Sequence, residues 1–546
     1  GNKLYYPYEY FCSWDKYLET AMPPIEAFYS ALTEKGVTSE QYAEAAALFD
    51  GCENLQEYTM LYVRRDVVGL AEVLTRFRTL MLESHGIDPC AYFSLPGASW
   101  AAMLKITKTE LDTVPPEMYQ WLESGVRGGL AVASRHYADS ASGSITYFDA
   151  NNLYGWAMSQ PLPLGGYEWV HERVDLDGYG HILEVDLEYP EALHSHAAHR
   201  QLPLAPDFRE CPDGFIKLCG TFEPKERYVL HDRALDYYVA KGLVVTKVHR
   251  IMRFRQRAWL KPYIDLNSSL RAASTNTFDS NLYKLMNNAV YGKTLESTRN
   301  RCKVRTFTDR DKFEAFVSKP EFVSATPLGP HMVQATAART FMRCDKVPAV
   351  GVTILDLSKL HMAQWHHDTV LAKLPSAELC ATDTDSFMYW VPGSTDEQVY
   401  DALKENLDTS NFPPEHPLYH TRHKKVPGYF KSECPPPDSI REGVFLRAKL
   451  YSLDIRHTCG PKCDSPCSHH SVQKAKGVKT GYVRNHITHA DYMQCFHTRE
   501  DLVTKPHQKI SAFKHNIVTE TFTKVGLSAR DDKRVQIDDI RTVPYK

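Results

Sequence analysis

The chain has 546 residues, 43% of them hydrophobic and 24% charged, with a net charge of −3. Its length is too great for one core and calls for about three to five domains or subdomains, and no apolar run approaches the roughly 20 residues that span a bilayer. A near-neutral total excludes a uniformly basic nucleic-acid coat; from Thr421 to Lys546, however, 23 Lys and Arg face 13 Asp and Glu, a surplus that suits a phosphate backbone or an ordinary solvated surface equally well.

Residues 24–83 read as helical. Phe28, Ala31 and Leu32 stand at helical spacing after Pro23-Pro24, and a second, long helix runs from about Leu55 to Leu82. On that helix Tyr58, Tyr62 and Asp66 share a face. Tyr92–Trp100 reads as a loop leading to another helix. Gly125-Val126-Arg127-Gly128-Gly129 reads as a tight turn, because paired glycines permit positive φ and close backbone approach. In Ile145–Gly155 an apolar strand ends at Asp149 and turns at Asn151-Asn152, with Tyr154 placed to stack on whatever occupies the turn. A strand-end carboxylate suits a metal ligand, and it also suits any turn. Residues 160–250 alternate strands (Gly165–Trp169, Ile182–Leu187, Gly242–Lys247) with a helix at Arg233–Lys241.

Asn281–Arg299 is helical again and puts Lys284, Asn288 and Tyr291 on one stripe, while Leu285, Met286 and Ala289 can face the protein. A cation, an amide and a ring on one face suit triphosphate, sugar and base in turn. Ile354–Lys359 reads as a helix. In Cys380–Trp390, Asp383 and Asp385 stand two apart in a β-prone run, so both carboxylates are expected on one strand face. Like charges held that close raise each other's pKa unless a cation lies between them, and hard ions such as Mg2+ take carboxylate oxygens; a hairpin with solvated acids is the plainer account of such a short motif. Lys424–Lys431 and Phe445–Leu453 read as strands, the second with Lys449 and Tyr451 on one face. Gln473–Lys479 and a basic, helix-leaning tail close the chain.

In order, Asp149-x2-Asn152-Leu153-Tyr154, Lys284-x3-Asn288-x2-Tyr291-Gly292, Asp383-Thr384-Asp385 and Lys449-x-Tyr451 resemble motifs A, B, C and K-x-Y of family B DNA polymerases. The similarity points to the protein-primed branch, as in phages, linear plasmids and Maverick/Polinton elements. The blocks Ser94–Gly97, Leu260–Tyr263, Ile354–Lys359, Lys474–Val478 and Asp531–Arg534 extend it over nearly the whole chain. The resemblance implies an α/β (α+β), multi-domain right hand of palm, fingers and thumb with a partial ribonuclease H-like exonuclease domain. Residues 1–115 would be the C-terminal part of that exonuclease-like domain and 116–145 a linker with the Arg-Gly-Gly turn. Residues 146–160 would be palm with motif A, 161–250 an insertion like the terminal-protein region, and 251–300 fingers with motif B. Then would follow a second insertion and palm (301–378), palm with motif C and K-x-Y (379–456), a Cys/His loop (457–470) and thumb (471–546).

The same resemblance implies roles. Asp149 and Asp385 would hold two Mg2+ ions, with Mn2+ as an alternative, and Asp383 would support them. Lys284, Asn288, Tyr291, Leu153 and Tyr154 would bind the nucleotide, Tyr154 as the gate against a 2′-hydroxyl. Lys449 and Tyr451 would hold the primer end, and Arg127, Gly128, Gly129 and Lys359 would contact DNA. Partners would be template-primer DNA, deoxynucleoside triphosphates and a terminal priming protein, with no membrane. Thirteen scattered cysteines fit a reducing, intracellular compartment, with the nucleus or the element's own replication site as the expected location.

Departures stand beside the matches. Asn152 and Gly155 replace the family's Ser and Pro, Ala289 a Ser, and Val126 a Tyr. Tyr62-x3-Asp66 resembles the third exonuclease motif, but residues 1–61 contain neither Asp-x-Glu nor Asn-x2-3-Tyr-Asp; the chain is expected to be N-terminally truncated and to lack proofreading. Cys459, Cys463, Cys467 and His469 could offer four ligands to Zn2+ from a hairpin loop, although knuckle spacings are more often C-x2-C. The rival reading is a catalytically decayed mobile-element remnant that binds nucleic acid; a nuclease fits less well, with one of three exonuclease motifs present.

Overall fold

Alternation along the strand Gly143–Ala150 sorts its side chains between two layers. Phe148 and Ala150 enter one buried cluster with Phe387, Tyr389 and Phe430, while Ile145 enters another with Met388, Phe445 and Tyr451. The computed structural model describes residues 4–299, 301–457, 469–513 and 516–546. In it this strand is the fourth of a five-stranded antiparallel sheet ordered Ala131–Ala133, Glu378–Asp383, Ser386–Pro392, Gly143–Ala150, Phe430–Ser432. Asp149 lies on the Ile145 and Tyr147 face and pairs across to Ser386.

A second antiparallel sheet, ordered His469–Ala475, Leu450–His457, Asp438–Arg447 and Tyr137–Asp139, covers that face. Helices make the next core. Leu95–Thr107, Lys261–Ala273, Thr277–Thr294 and Pro348–Gln364 meet around Met103, Tyr263, Met286, Val290, Val350 and Leu357. The mixed segment predicted at 160–250 is a four-stranded sheet, Leu162–Val170, Val244–Arg257, Tyr179–Glu188 and Lys225–His231, with the helix Asp232–Ala240 packed on it. Residues 302–338 form a three-stranded sheet with the helix Arg310–Val317.

Several local expectations need correction. The long helix is Leu55–His85, capped by the Asn54 side chain and closed by Gly86 at φ +66°. In the stretch around Phe28, Ala31 and Leu32, Ile25–Phe28 forms a single 3-10 turn rather than an α-helix. The α-helix starts at Ser39, where Thr38 and Gln41 form a capping box. The tail is helical at Thr480–His486 and His489–Thr498, then turns into short antiparallel strands. Lys424–Gly428 is turn rather than strand, with Lys425 at φ +57°.

Candidate active site

Motif C is a hairpin tip. Glu378–Asp383 and Ser386–Pro392 pair antiparallel, and Thr384 between them takes φ +65°. The expected sharing of one strand face by Asp383 and Asp385 therefore does not hold, because the turn breaks the period of two. Asp383 keeps the Ala381 face and forms an ion pair with Lys449 at 2.8 Å. Asp385, in the turn, is brought beside Asp149: its carbonyl accepts the Ala150 N–H at 2.8 Å, and the two carboxylates share the walls of both cavities described below.

Burial first, and then the charge of Asp385, pushes Asp149 up to about 7; burial likewise raises Asp385. Two acids that oppose each other's ionisation, Asp149 accepting no hydrogen bond among the described residues, form a donor set that fits a divalent cation. Among the described residues no three His, Cys, Asp or Glu side chains converge to hold a metal. The pair would need further oxygens, such as those of a triphosphate and a primer end.

One cavity, of about 350 Å³, lies between Asp149, Asp385 and the helix Thr277–Thr294. Lys284 and Asn288 line it, while Leu282, Tyr283, Met286 and Val290 bury the opposite side of that helix. Leu285 was expected inward but is 54% exposed. Tyr291 and Tyr154 stack at 4.7 Å and 9°, joining motif A to motif B through two rings. Leu153 also lines this cavity, with its side chain buried in the cluster with Phe148 and Leu379. Arg271, Lys425 and Lys431 also line the cavity and were missed. Arg271 Nε is buried without a partner. Its position one turn from the end of the preceding helix left no motif to find it by, and Lys425 and Lys431 arrive through a turn and an edge strand far along the chain.

The second cavity is an open cleft of about 1010 Å³, lined by Asp149, Asp383, Asp385, Lys449, Tyr451, Lys474, Lys476 and Arg484. Lys449 is not on a strand with Tyr451. It occupies the turn between Asp438–Arg447 and Leu450–His457 at φ +62°, which aims its amine at Asp383. Tyr451 is buried and its hydroxyl lies 3.3 Å from that of Tyr147.

Glycines set the backbone approaches here. Gly125 is a turn residue at φ −82°, and Gly128 and Gly129 do not adopt positive φ, so the turn does not extend to the paired glycines as predicted. A Cβ on Gly129 would lie 2.4 Å from Thr384 Cγ2, and Thr384 N–H donates to Leu130 O at 2.9 Å, so this segment clamps the motif C turn. Gly155 is explained the same way. Asn152, at φ +44°, folds its amide into the space a Cβ on residue 155 would fill, 2.0 Å away. The two departures in motif A thus compensate each other.

Arg127 and Lys359 are corrections. Arg127 is 6% exposed, pairs with Asp207 at 2.8 Å and lies over the Tyr228 ring. Lys359 donates to Arg127 O at 2.8 Å and pairs with Asp356 at 3.3 Å, its side chain 8% exposed. Both cations are spent inside the protein, where unpaired charge would be costly, and neither is available to DNA. Tyr62 is buried, stacked on Tyr6 and hydrogen-bonded to the Tyr8 hydroxyl; Asp66 follows on the same helix. Cys459, Cys463 and Cys467 lie outside the described residues, as does the side chain of His469; the flanking strands Leu450–His457 and His469–Ala475 pair antiparallel.

No curated protein matches the chain. Phi29 DNA polymerase complexed with primer-template DNA is similar in structure, with a TM-score of 0.58 at 16% identity over 96% of this chain and 79% of that one. The same polymerase complexed with single-stranded DNA gives 0.56 at 16% identity, with the same coverages. Likeness at that identity speaks for the fold, an α/β multi-domain polymerase architecture. A family model described as DNA polymerase type B, organellar and viral, matches residues 2–315, more than half of the sequence and including motifs A and B. The chain belongs to the organellar and viral type B DNA polymerases.

Proposed function

We propose that this chain is a template-directed DNA polymerase that adds deoxynucleotides to a primer 3′-OH, working in the protein-primed replication of a viral or Maverick/Polinton-like element. The observation that carries the reading is the meeting of Asp149 and Asp385 at the join of two cavities. One is small, with Lys284, Asn288 and a stacked Tyr154–Tyr291 pair. The other is a wide cleft with four basic side chains, of size and charge suited to a primer-template.

Asp149 and Asp385 would hold Mg2+, or Mn2+, which would supply charge neutralisation for a phosphoryl transfer. The remaining work falls to the chain's own groups. Lys284, with Arg271 beside it, offers positive charge to a triphosphate. Asn288 and the Tyr291 ring bound the sugar and base, and Tyr154 closes the space a 2′-hydroxyl would need. Lys449, anchored by Asp383, and Tyr451, anchored by Tyr147, fix the primer end. The 161–250 sheet is the proposed contact for a terminal protein.

Extension of a labelled primer on templates of known sequence, with Mg2+ and each deoxynucleotide singly, tests this reading. Incorporation that follows the template base is expected. Template-independent addition, or none, refutes it.

A further inference from the structure

On a helix, residues two apart point roughly 200° from each other. In Leu153–Met158, Tyr154 faces the nucleotide cavity, and Trp156 lines a separate cavity of about 290 Å³ on the other side. Aromatic rings dominate this second cavity. Trp156 stacks on His361 at 4.1 Å, and Trp365, Tyr429 and Phe430 complete the aromatic lining. Gln364 and Asn406 supply amides at its edge. Lys373 Nζ, 3.2 Å from Asn406 Oδ1, puts a cation at the rim.

Three observations make this more than a gap in the packing. Trp365 is 4% exposed, and its indole N–H has no acceptor. The helix changes at Trp365 into a π-helical turn, Trp365–Val370, a rare form that concentrates at functional sites. Gly428, at φ +86°, brings backbone so near Trp156 that a Cβ there would lie 2.4 Å from its ring. The wall towards the active site is thin, because Gly428 N–H donates to Asn151 O at 2.8 Å and Asn151 itself lines the nucleotide cavity. The volume lies just under the range of about 300–1,000 Å³ usual for whole small-molecule ligands. It suits one flat ring with its phosphate left outside.

We propose that this cavity receives one unpaired base of the template strand, stacked on Trp156, its edge met by Gln364 and Asn406 and its phosphate near Lys373. The inference rests on the polymerase reading, because an uncopied template base is the unpaired nucleic acid that lies beside a templated site. Stacking of this kind tolerates any base.

The test places 2-aminopurine at successive unpaired template positions of a primer-template bound to the full chain and reads its fluorescence. One position is expected to fall to about half or less of its neighbours' signal, as stacking on an aromatic ring quenches it. Trp156→Leu, which removes the ring, and Gln364→Ala, at an exposed helical site, are each expected to bring that position back towards its neighbours. Equal fluorescence at every position overturns the proposal, and so does quenching that survives Gln364→Ala and Trp156→Leu alike. Primer extension by the same preparation separates the failures. Extension without a position-specific signal removes the base pocket alone, whereas absence of extension removes the polymerase reading beneath it.

Discussion

Asp149 sits where its own strand would bury an apolar residue, and the cost appears as a carboxyl that keeps its proton up to about 7. The sign of the linkage follows. An acid whose folded pKa is raised favours the folded state when protonated, so stability falls as pH climbs from its ordinary 3.8 towards about 7. A divalent cation offsets that loss. Mg2+ is therefore expected to raise the melting temperature more at about pH 8 than at about pH 5.5, and Asp385→Asn to remove most of the difference; thermal scans at both pH values check it. The motif A pair makes a second prediction. Gly155→Ala forces a Cβ into the Asn152 amide and should cost about 1–3 kcal/mol in denaturant titration. Adding Asn152→Gly, tolerated at φ +44°, should recover most of it. Residue identity made Asp149, Asp385, Lys284 and Asn288 legible, because short motifs name the chemistry they serve. The fates of Arg127 and Lys359 were not legible: Asp207 and Tyr228, which bury Arg127, lie some hundred positions along the chain.

The elements that carry the site are a hairpin and a helix, and each was readable to a different degree. The helix Thr277–Thr294 announced itself through an apolar stripe opposite a polar one. The hairpin at Thr384 was legible only as the plainer alternative: Asp383, Asp385 and Ser386 favour a turn, but the left-handed residue is Thr384, at φ +65° against its preference. The same blindness made Lys449 a strand residue on paper and a turn residue in the fold. Gly129 shows how the hairpin is held. Gly129→Ala should displace Thr384 and slow primer extension by about tenfold or more, near 1.4 kcal/mol of barrier. Thr384→Gly in the same chain should restore part of the rate by opening the space. If Gly129→Ala extends primers like the parent, the clamp does not set the geometry of Asp385.

At the scale of the molecule, the active site is the seam between the five-stranded sheet, the hairpin that carries Lys449 and the helical core around Met286 and Val290. Each layer contributes groups: Asp149 and Lys431 come from the sheet, Lys449 from the hairpin, and Lys284, Asn288 and Arg271 from the helices. Fold class was legible through the resemblance that the four motifs carry in order, while alternation and periodicity placed individual strands and helices. Which cations stay exposed was not, because that is decided where layers meet. The central claim is that Asp149 and Asp385 act as one catalytic pair. It is tested most directly by single-turnover nucleotide incorporation in the parent and in Asp385→Asn, with primer-template affinity measured on both. Incorporation falling by about 10²–10³-fold or more, with affinity held within a few-fold, is the predicted result. Equal incorporation by the two proteins, or DNA binding with no incorporation by either, would contradict it.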